Sequence, residues 1–276
     1  MNSIKKEIKK FYLKFFYFIK ANYINIYRTL ILKLNTKNIK TNNKISLLCP
    51  SRQRVNKTNR FLDSLYNKSN NLDNLELLIL LDEDEKDELG YIKLIEKYNK
   101  IKNIITIHKK NFETNSDRMN FLASISTGEI LLGCNDDMIF ITPEWDTLLN
   151  YEFSKAKNNE PFSVWLRCDR KYTYLDASAF PAVNRCWFNK LDHLAYHKFR
   201  NWYLDTWICE LGRKTNFYIV SNKIKVKQFH AINLKDEIDD THTKNHTKEN
   251  IEHDDLIWQQ TKKLRDSDVS KLINTI

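Results

Sequence analysis

An α/β domain with a mostly parallel central sheet flanked by helices, preceded by an N-terminal amphipathic helical segment, is the architecture this sequence predicts. Three observations predict it. Short apolar runs alternate with helical stretches, polar residues collect where those runs end, and the positive excess is confined to one end of the chain. Of the 276 residues, 42% are hydrophobic, enough for a full core. Residues 1–44 hold eleven of the 45 basic residues and one of the 35 acidic ones, so 34 of each sign remain for the rest. A nucleic-acid-binding body carries its excess on the folded surface, so no nucleic-acid partner is expected.

The charge step divides the chain into a basic helical leader, 1–43, and a domain, 44–276. Within the leader, Ile4, Ile8, Phe11, Phe15, Ile19, Tyr23, Tyr27, Leu30 and Leu34 recur at spacings of three and four, which is helical. Lys14 and Lys20 interrupt the apolar run, so it is too polar to span a bilayer, and no small-residue cleavage site follows it. Two readings stay open for residues 1–34: peripheral contact with an anionic membrane, or packing on the domain itself. The expected location is cytoplasmic, at the inner face of a membrane under the first reading. Five cysteines without a CxxC pair suit reduced thiols better than disulfides or zinc.

From Lys44 onward the pattern is βα. Ile45–Cys49, Leu75–Leu81, Ile104–Ile107 and Ile130–Gly133 read as buried strands, with helices near 56–68, 86–99 and 116–126. Such sheets bind ligands at the carboxyl ends of their strands. Ser51 and Arg52 follow the first run, Asp82 and Asp84 the second, and Asp136 and Asp137 the fourth. Adjacent carboxylates repel unless a cation neutralises them, and hard divalent ions bridge carboxylate to phosphate oxygen. A solvated acidic turn capping the next helix is the other reading of that pair.

At this point a resemblance becomes specific. Leu48-Cys49-Pro50-Ser51-Arg52, Leu81-Asp82-Glu83-Asp84, Asn120 ahead of Ser126-Thr127-Gly128-Glu129-Ile130, Asn135-Asp136-Asp137 and Thr142-Pro143-Glu144-Trp145-Asp146 follow one another in the order of family 2-like glycosyltransferases. Tyr203-Leu204-Asp205-Thr206-Trp207, Phe229-His230 and Asp239-Asp240-Thr241 continue it. The chain resembles this family from residue 44 to about residue 260.

The resemblance implies a GT-A fold, a nucleotide-diphospho-sugar donor (UDP-sugar favoured), Mn²⁺ or Mg²⁺, and a glycan or lipid-linked acceptor. Pro50, Ser51 and Arg52 would lie under the nucleoside, and Asp82, with Asp84, would hold base or ribose. Asn120 belongs to the same donor set. Asn135-Asp136-Asp137 matches the DxD-type motif, with Asp137 on the metal and Asn135 departing from the usual Asp. His230 would be a metal ligand or diphosphate contact. Asp205 would be the base of an inverting transfer, preferred to Glu210.

His242, His246 and His253 are expected to be solvated in a polar loop closing over the donor rather than to form a zinc site. Of Trp165, Trp187, Trp202 and Trp207, at least two are expected in the core, leaving the others for an acceptor platform. The competing readings are a catalytically inactive transferase-like binding module and a sugar nucleotidyltransferase. The latter usually carries a glycine-rich loop, which Pro50-Ser51-Arg52-Gln53-Arg54 lacks.

Overall fold

Two seven-residue apolar runs make the centre of the sheet. β1 (Ile45–Ser51) and β2 (Leu75–Leu81) are buried almost throughout, as strands covered on both faces must be. They belong to a computed structural model that describes residues 43–100, 103–107, 112–157, 159–168, 178–229 and 238–274. The leader expected over 1–43 therefore lies almost wholly outside the described residues, as does His230. No helix among the described residues is long and apolar enough to cross a membrane.

The remaining strands are β3 (Asn103–Ile107), β4 (Ile130–Gly133), β5 (Met138–Phe140), β6 (Ser163–Cys168), β7 (Pro181–Asn184) and β8 (Tyr218–Gln228). One sheet joins all eight in the order β3-β2-β1-β4-β7-β6-β8-β5. β3, β2, β1 and β4 run parallel, as do β6 and β8, while β7 and β5 pair antiparallel to their neighbours. In β8 the side chains alternate: Ile224, Val226 and Gln228 are buried, and Lys225 and Lys227 are exposed. That two-residue period marks a half-covered strand.

Helices α1 (Val55–Lys68), α2 (Glu88–Lys97) and α3 (Asn115–Ile125) fall where the sequence placed them. They are followed by α4 (Trp145–Phe153), α5 (Arg185–Leu191), α6 (Leu204–Thr215), α7 (Asp240–Asn245), α8 (Lys248–Gln260) and α9 (Lys262–Ile273). On one side of the sheet, Leu48, Leu78 and Leu131 pack with Met119 of α3, Trp187 of α5 and Trp207 of α6. Arg265 of α9 lies 3.7 Å from the ring centroid of Trp258 and bonds Glu210 of α6 at 3.0 Å, which ties the C-terminal helices to that core.

At the amino ends of the strands sits a buried polar cluster. Glu76, 2% exposed, accepts from Ser46 Oγ (2.5 Å), Thr127 N (2.8 Å), Thr127 Oγ1 (2.8 Å) and Lys44 Nζ (3.3 Å). Gly128 passes so close to β1 that an added Cβ would lie 2.4 Å from Ser46 Oγ, which receives the Gly128 N–H instead. Every group around Glu76 donates, so only a carboxylate satisfies them all. Burial opposes its charge, but the Ser46 and Thr127 bonds outweigh burial and lower its pKa below the ordinary 4.5.

Glu76→Gln turns an amide donor onto other donors and should cost about 2 kcal/mol at neutral pH. A lowered folded pKa gives stability that is present above 4.5 and lost as pH falls through the folded value. Urea melts should therefore show the Gln penalty at neutral pH and its disappearance in acid. An equal penalty at both would reject the ionised role.

Candidate functional site

Because β1, β2 and β4 are parallel neighbours, their carboxyl ends open on one edge and bring the three polar segments together. The loop after β1 is held in shape by hydrogen bonds to neighbouring segments. Gln53 takes a left-handed φ of 52°, its N–H donates to Glu85 Oε2, and the Arg54 N–H donates to Tyr91 Oη at 3.0 Å. Ser51 Oγ donates to Asp136 Oδ2 at 2.7 Å and lies 2.8 Å from Tyr91 Oη. Arg52 forks onto Asp84 through Nε and Nη2, and that bond holds the Asp84 carboxyl below its usual range. Arg118 of α3 takes both oxygens of Asp82 at 3.0 and 3.2 Å.

The acidic segment after β4 is buried: Asp136 is 3% exposed and Asp137 5%. Burial pushes the Asp136 carboxyl up, while Arg54, 3.1 Å away, and Ser51 pull it back. Asp137 accepts longer bonds from the Gln228 amide at 3.2 and 3.3 Å, and its carbonyl receives the Phe229 N–H at 2.9 Å. Arg54 also forks onto Asp239. Burial works against the Arg54 charge, but Asp136 and Asp239 outweigh it and raise its pKa.

The far wall comes from the start of α6. Asp205 lies in its first turn, and Oδ1 accepts from Thr206 N at 2.7 Å. The turn before it, residues 200–202, is clamped by Asp254 of α8, a fully buried carboxylate. Asp254 accepts from the backbone N–H of Arg200, Asn201 and Trp202 at 2.8–2.9 Å. Trp202 Nε1 is buried with no hydrogen-bond partner among the described residues, and the ring packs edge-on against His246 at 5.0 Å.

These walls enclose a cavity of about 180 Å³ lined by Pro50, Ser51, Arg52, Asp82, Asn135, Asp136, Asp137 and Asp205, all expected site residues. Two expected residues stand apart. Asn120 is used structurally: its Oδ1 accepts from Leu194 N at 2.8 Å and its Nδ2 donates to Ala195 O at 2.9 Å. Asp84, bonded by Arg52, lines a neighbouring groove with Lys244. Glu210 is engaged by Lys214 (2.8 Å) and Arg265 (3.0 Å) and does not line the cavity.

The polar stretch expected as a loop is helical. Asp239 caps α7 by accepting from His242 N, and Thr247 caps α8 by accepting from Asn250 N. Side-chain caps, not apolar periodicity, start these helices. His242 and His246 stack at 3.9 Å, and His253 lies 3.0 Å from Asp254. Trp165, Trp187 and Trp207 are at most 2% exposed, and Trp202 alone of the four lines the cavity. None of the five cysteines is in a disulfide.

Arg54, Asp239, Gln228, Tyr91 and Asp254 also shape the site. Arg54 and Asp239 stand inside the Pro50–Arg54 and Asp239–Thr241 segments; the others carry no local sequence signal.

Among the described residues, no three His, Cys, Asp or Glu side chains are placed to hold a metal by themselves. The donors suit an ion that keeps most of its shell as water and phosphate oxygen, as Mg²⁺ does with one or two carboxylates. Asp137 offers hard oxygen, Asn135 adjoins it, and Asp136 is committed to Arg54 and Ser51.

No protein-family model matches this sequence, and no curated protein matches it. Solved structures do. A mannosyltransferase from Pyrobaculum calidifontis, in complex with GDP-Man and Mn²⁺, superposes with a TM-score of 0.54 at 10% identity, over 69% of this chain and 58% of its own. TarS from S. aureus in complex with UDP-GlcNAc gives a TM-score of 0.57 at 12% identity, over 84% of this chain and 72% of that one. A longer TarS structure is spanned over only 36% of its length. At these identities the likeness is one of architecture: this chain has the GT-A fold of nucleotide-sugar glycosyltransferases.

Proposed function

We propose that this chain is a glycosyltransferase that moves a sugar from a nucleotide-diphospho-sugar, a UDP-sugar by preference, to a hydroxyl of a glycan or lipid-linked acceptor. The observation that carries the reading is the single cavity into which three parallel strand ends deliver Ser51, Asp82 and Asp137, with Asp205 on the opposing wall. Ligands of the GT-A neighbours, GDP-Man with Mn²⁺ and UDP-GlcNAc, support the donor class.

In this reading Asp82 and Ser51 orient the nucleoside, and Asp137 would hold Mn²⁺ or Mg²⁺ beside the diphosphate. A divalent ion there supplies charge stabilisation to the departing diphosphate. Asp205 takes the proton of the acceptor hydroxyl as that oxygen bonds the anomeric carbon and the bond from that carbon to the phosphate oxygen breaks, which inverts the configuration. Trp202, which lines the cavity, offers a platform for an acceptor sugar. Residues 1–34 would keep the enzyme at an anionic membrane face.

A thermal-shift screen against UDP, GDP and CMP, with and without Mn²⁺, tests the reading. Ligand at 100-fold excess over its dissociation constant adds about 2.7 kcal/mol to the native state. A Mn²⁺-dependent rise with one nucleotide names the donor base; no rise with any of them rejects the reading in favour of a transferase-like binding module. Asp137→Ala should leave the fold intact and erase the difference between Mn²⁺ and metal-free titrations. A surviving Mn²⁺ effect would remove Asp137 from the metal.

A further inference from the structure

Arg54 closes the loop after β1, and Lys57 lies three residues on, in the first turn of α1, so both cations share one face. They converge on a single carboxylate. Arg54 Nε and Nη2 reach the two oxygens of Asp239 at 2.8 and 2.7 Å, and Lys57 Nζ reaches Oδ2 at 2.7 Å. Two parallel N–H bonds from one guanidinium edge also grip phosphate oxygens, and a lysine beside them adds charge without constraining shape.

The third Arg54 nitrogen, Nη1, bonds Asp136, so the guanidinium is fixed in the cavity wall next to the acidic segment. Asp239 itself comes from a distant part of the chain and is 27% exposed, with Ile238 before it 71% exposed. The α7 segment also touches the β1 loop through Thr241 Oγ1, which donates to Arg52 O at 2.8 Å, and the loop after β2 through Lys244, 3.8 Å from Asp84.

We propose that Arg54 and Lys57 receive the phosphates of the donor, and that Asp239 is a built-in competitor occupying that receptor until the diphosphate displaces it. This rests on the donor reading above and adds to it the chain's own anion at the phosphate position. The two cations are bound to protein carboxylates, so a diphosphate must exchange partners with Asp239 and move α7 off the loop. Affinity for the phosphates is thereby held below what the two cations could give.

Asp239→Asn separates the competitor's charge from its capping role, because Asn keeps the oxygen that receives the His242 N–H and is an equally good helix cap. Calorimetric titration of the full chain with pyrophosphate, UDP and uridine in Mg²⁺ buffer provides the test. Asp239→Asn should bind pyrophosphate and UDP about tenfold tighter than wild type, as expected for one displaced, partly exposed ion pair, with uridine unchanged. Lys57→Met should weaken both phosphate ligands. Equal or weaker pyrophosphate binding by Asp239→Asn, or no binding by either form, overturns the proposal. If UDP binds both forms alike, the receptor falls and the donor reading stands. A gain for pyrophosphate, with UDP binding no better than pyrophosphate itself, keeps the receptor and removes the UDP-sugar donor reading.

Discussion

Asp205→Asn should retain nucleotide binding and lose sugar transfer by about 10³-fold, within the range for removal of a general base. The structure sets the control. Glu210, five residues on along α6, is held by Lys214 and Arg265, and Arg265 is only 5% exposed. A carboxylate so engaged cannot reach an acceptor in the cavity, so Glu210→Gln should lower stability and leave turnover per folded molecule unchanged. The measurement is release of nucleotide diphosphate from a panel of nucleotide-sugars with simple glycan acceptors, alongside titration of the nucleotide alone. Full release by Asp205→Asn removes it as the base, and loss of release by a folded Glu210→Gln exchanges the two roles.

A second large effect is expected far from any reacting atom. Asp254→Ala strips the acceptor from three backbone N–H groups at once, those of Arg200, Asn201 and Trp202. Hydrogen bonds to a charged group contribute more than neutral ones, and a buried donor left unpaired keeps its full desolvation cost. The loss should be about 3 kcal/mol, or roughly a 10 °C fall in Tm for a domain of this size. The same turn carries Trp202 and leads into Asp205, so transfer should fall with acceptor KM rising while nucleotide affinity holds. A Tm unchanged within error, measured by calorimetry, would show that the turn stands without its clamp.

What was legible in the sequence follows from how each element is stabilised. Leu75–Leu81 is apolar at all but Glu76, and Ile45–Cys49 at all but Ser46, so burial alone announces both strands. The same logic located α1 to α3 and placed Ser51, Asp82, Asp136 and Asp137 at strand ends. Asn120 lies outside the cavity lining, and a place in a motif does not reveal where an amide points; here it brackets the backbone of Leu194 and Ala195. The helices α7 and α8 escaped because their start signals are single capping side chains within a polar, charged stretch. Arg54 and Asp239 meet across 185 positions, and Asp254 and Trp202 across 52. No local pattern encodes such pairs; only the folded topology does.

One consequence follows from the sheet order. β4 and β5 stand four places apart in the sheet, which in a flat sheet is about 19 Å. Only five peptide steps join Gly133 to Met138, and they include a turn closed by the Met138 N–H on Asn135 O at 3.0 Å. The sheet must therefore roll until its distant strands approach one another, and residues 134–137 become the short tie across the roll. The tie is knotted at both ends, by Cys134 N–H on Leu48 O at 2.8 Å and by Phe229 N–H on Asp137 O. Unrolling the sheet would have to tear this tie, so its amides should exchange with deuterium only as the whole domain opens. The acidic pair is thus a mechanical fixture of the fold: a ligand arriving there meets carboxylates already in place and spends little entropy arranging them.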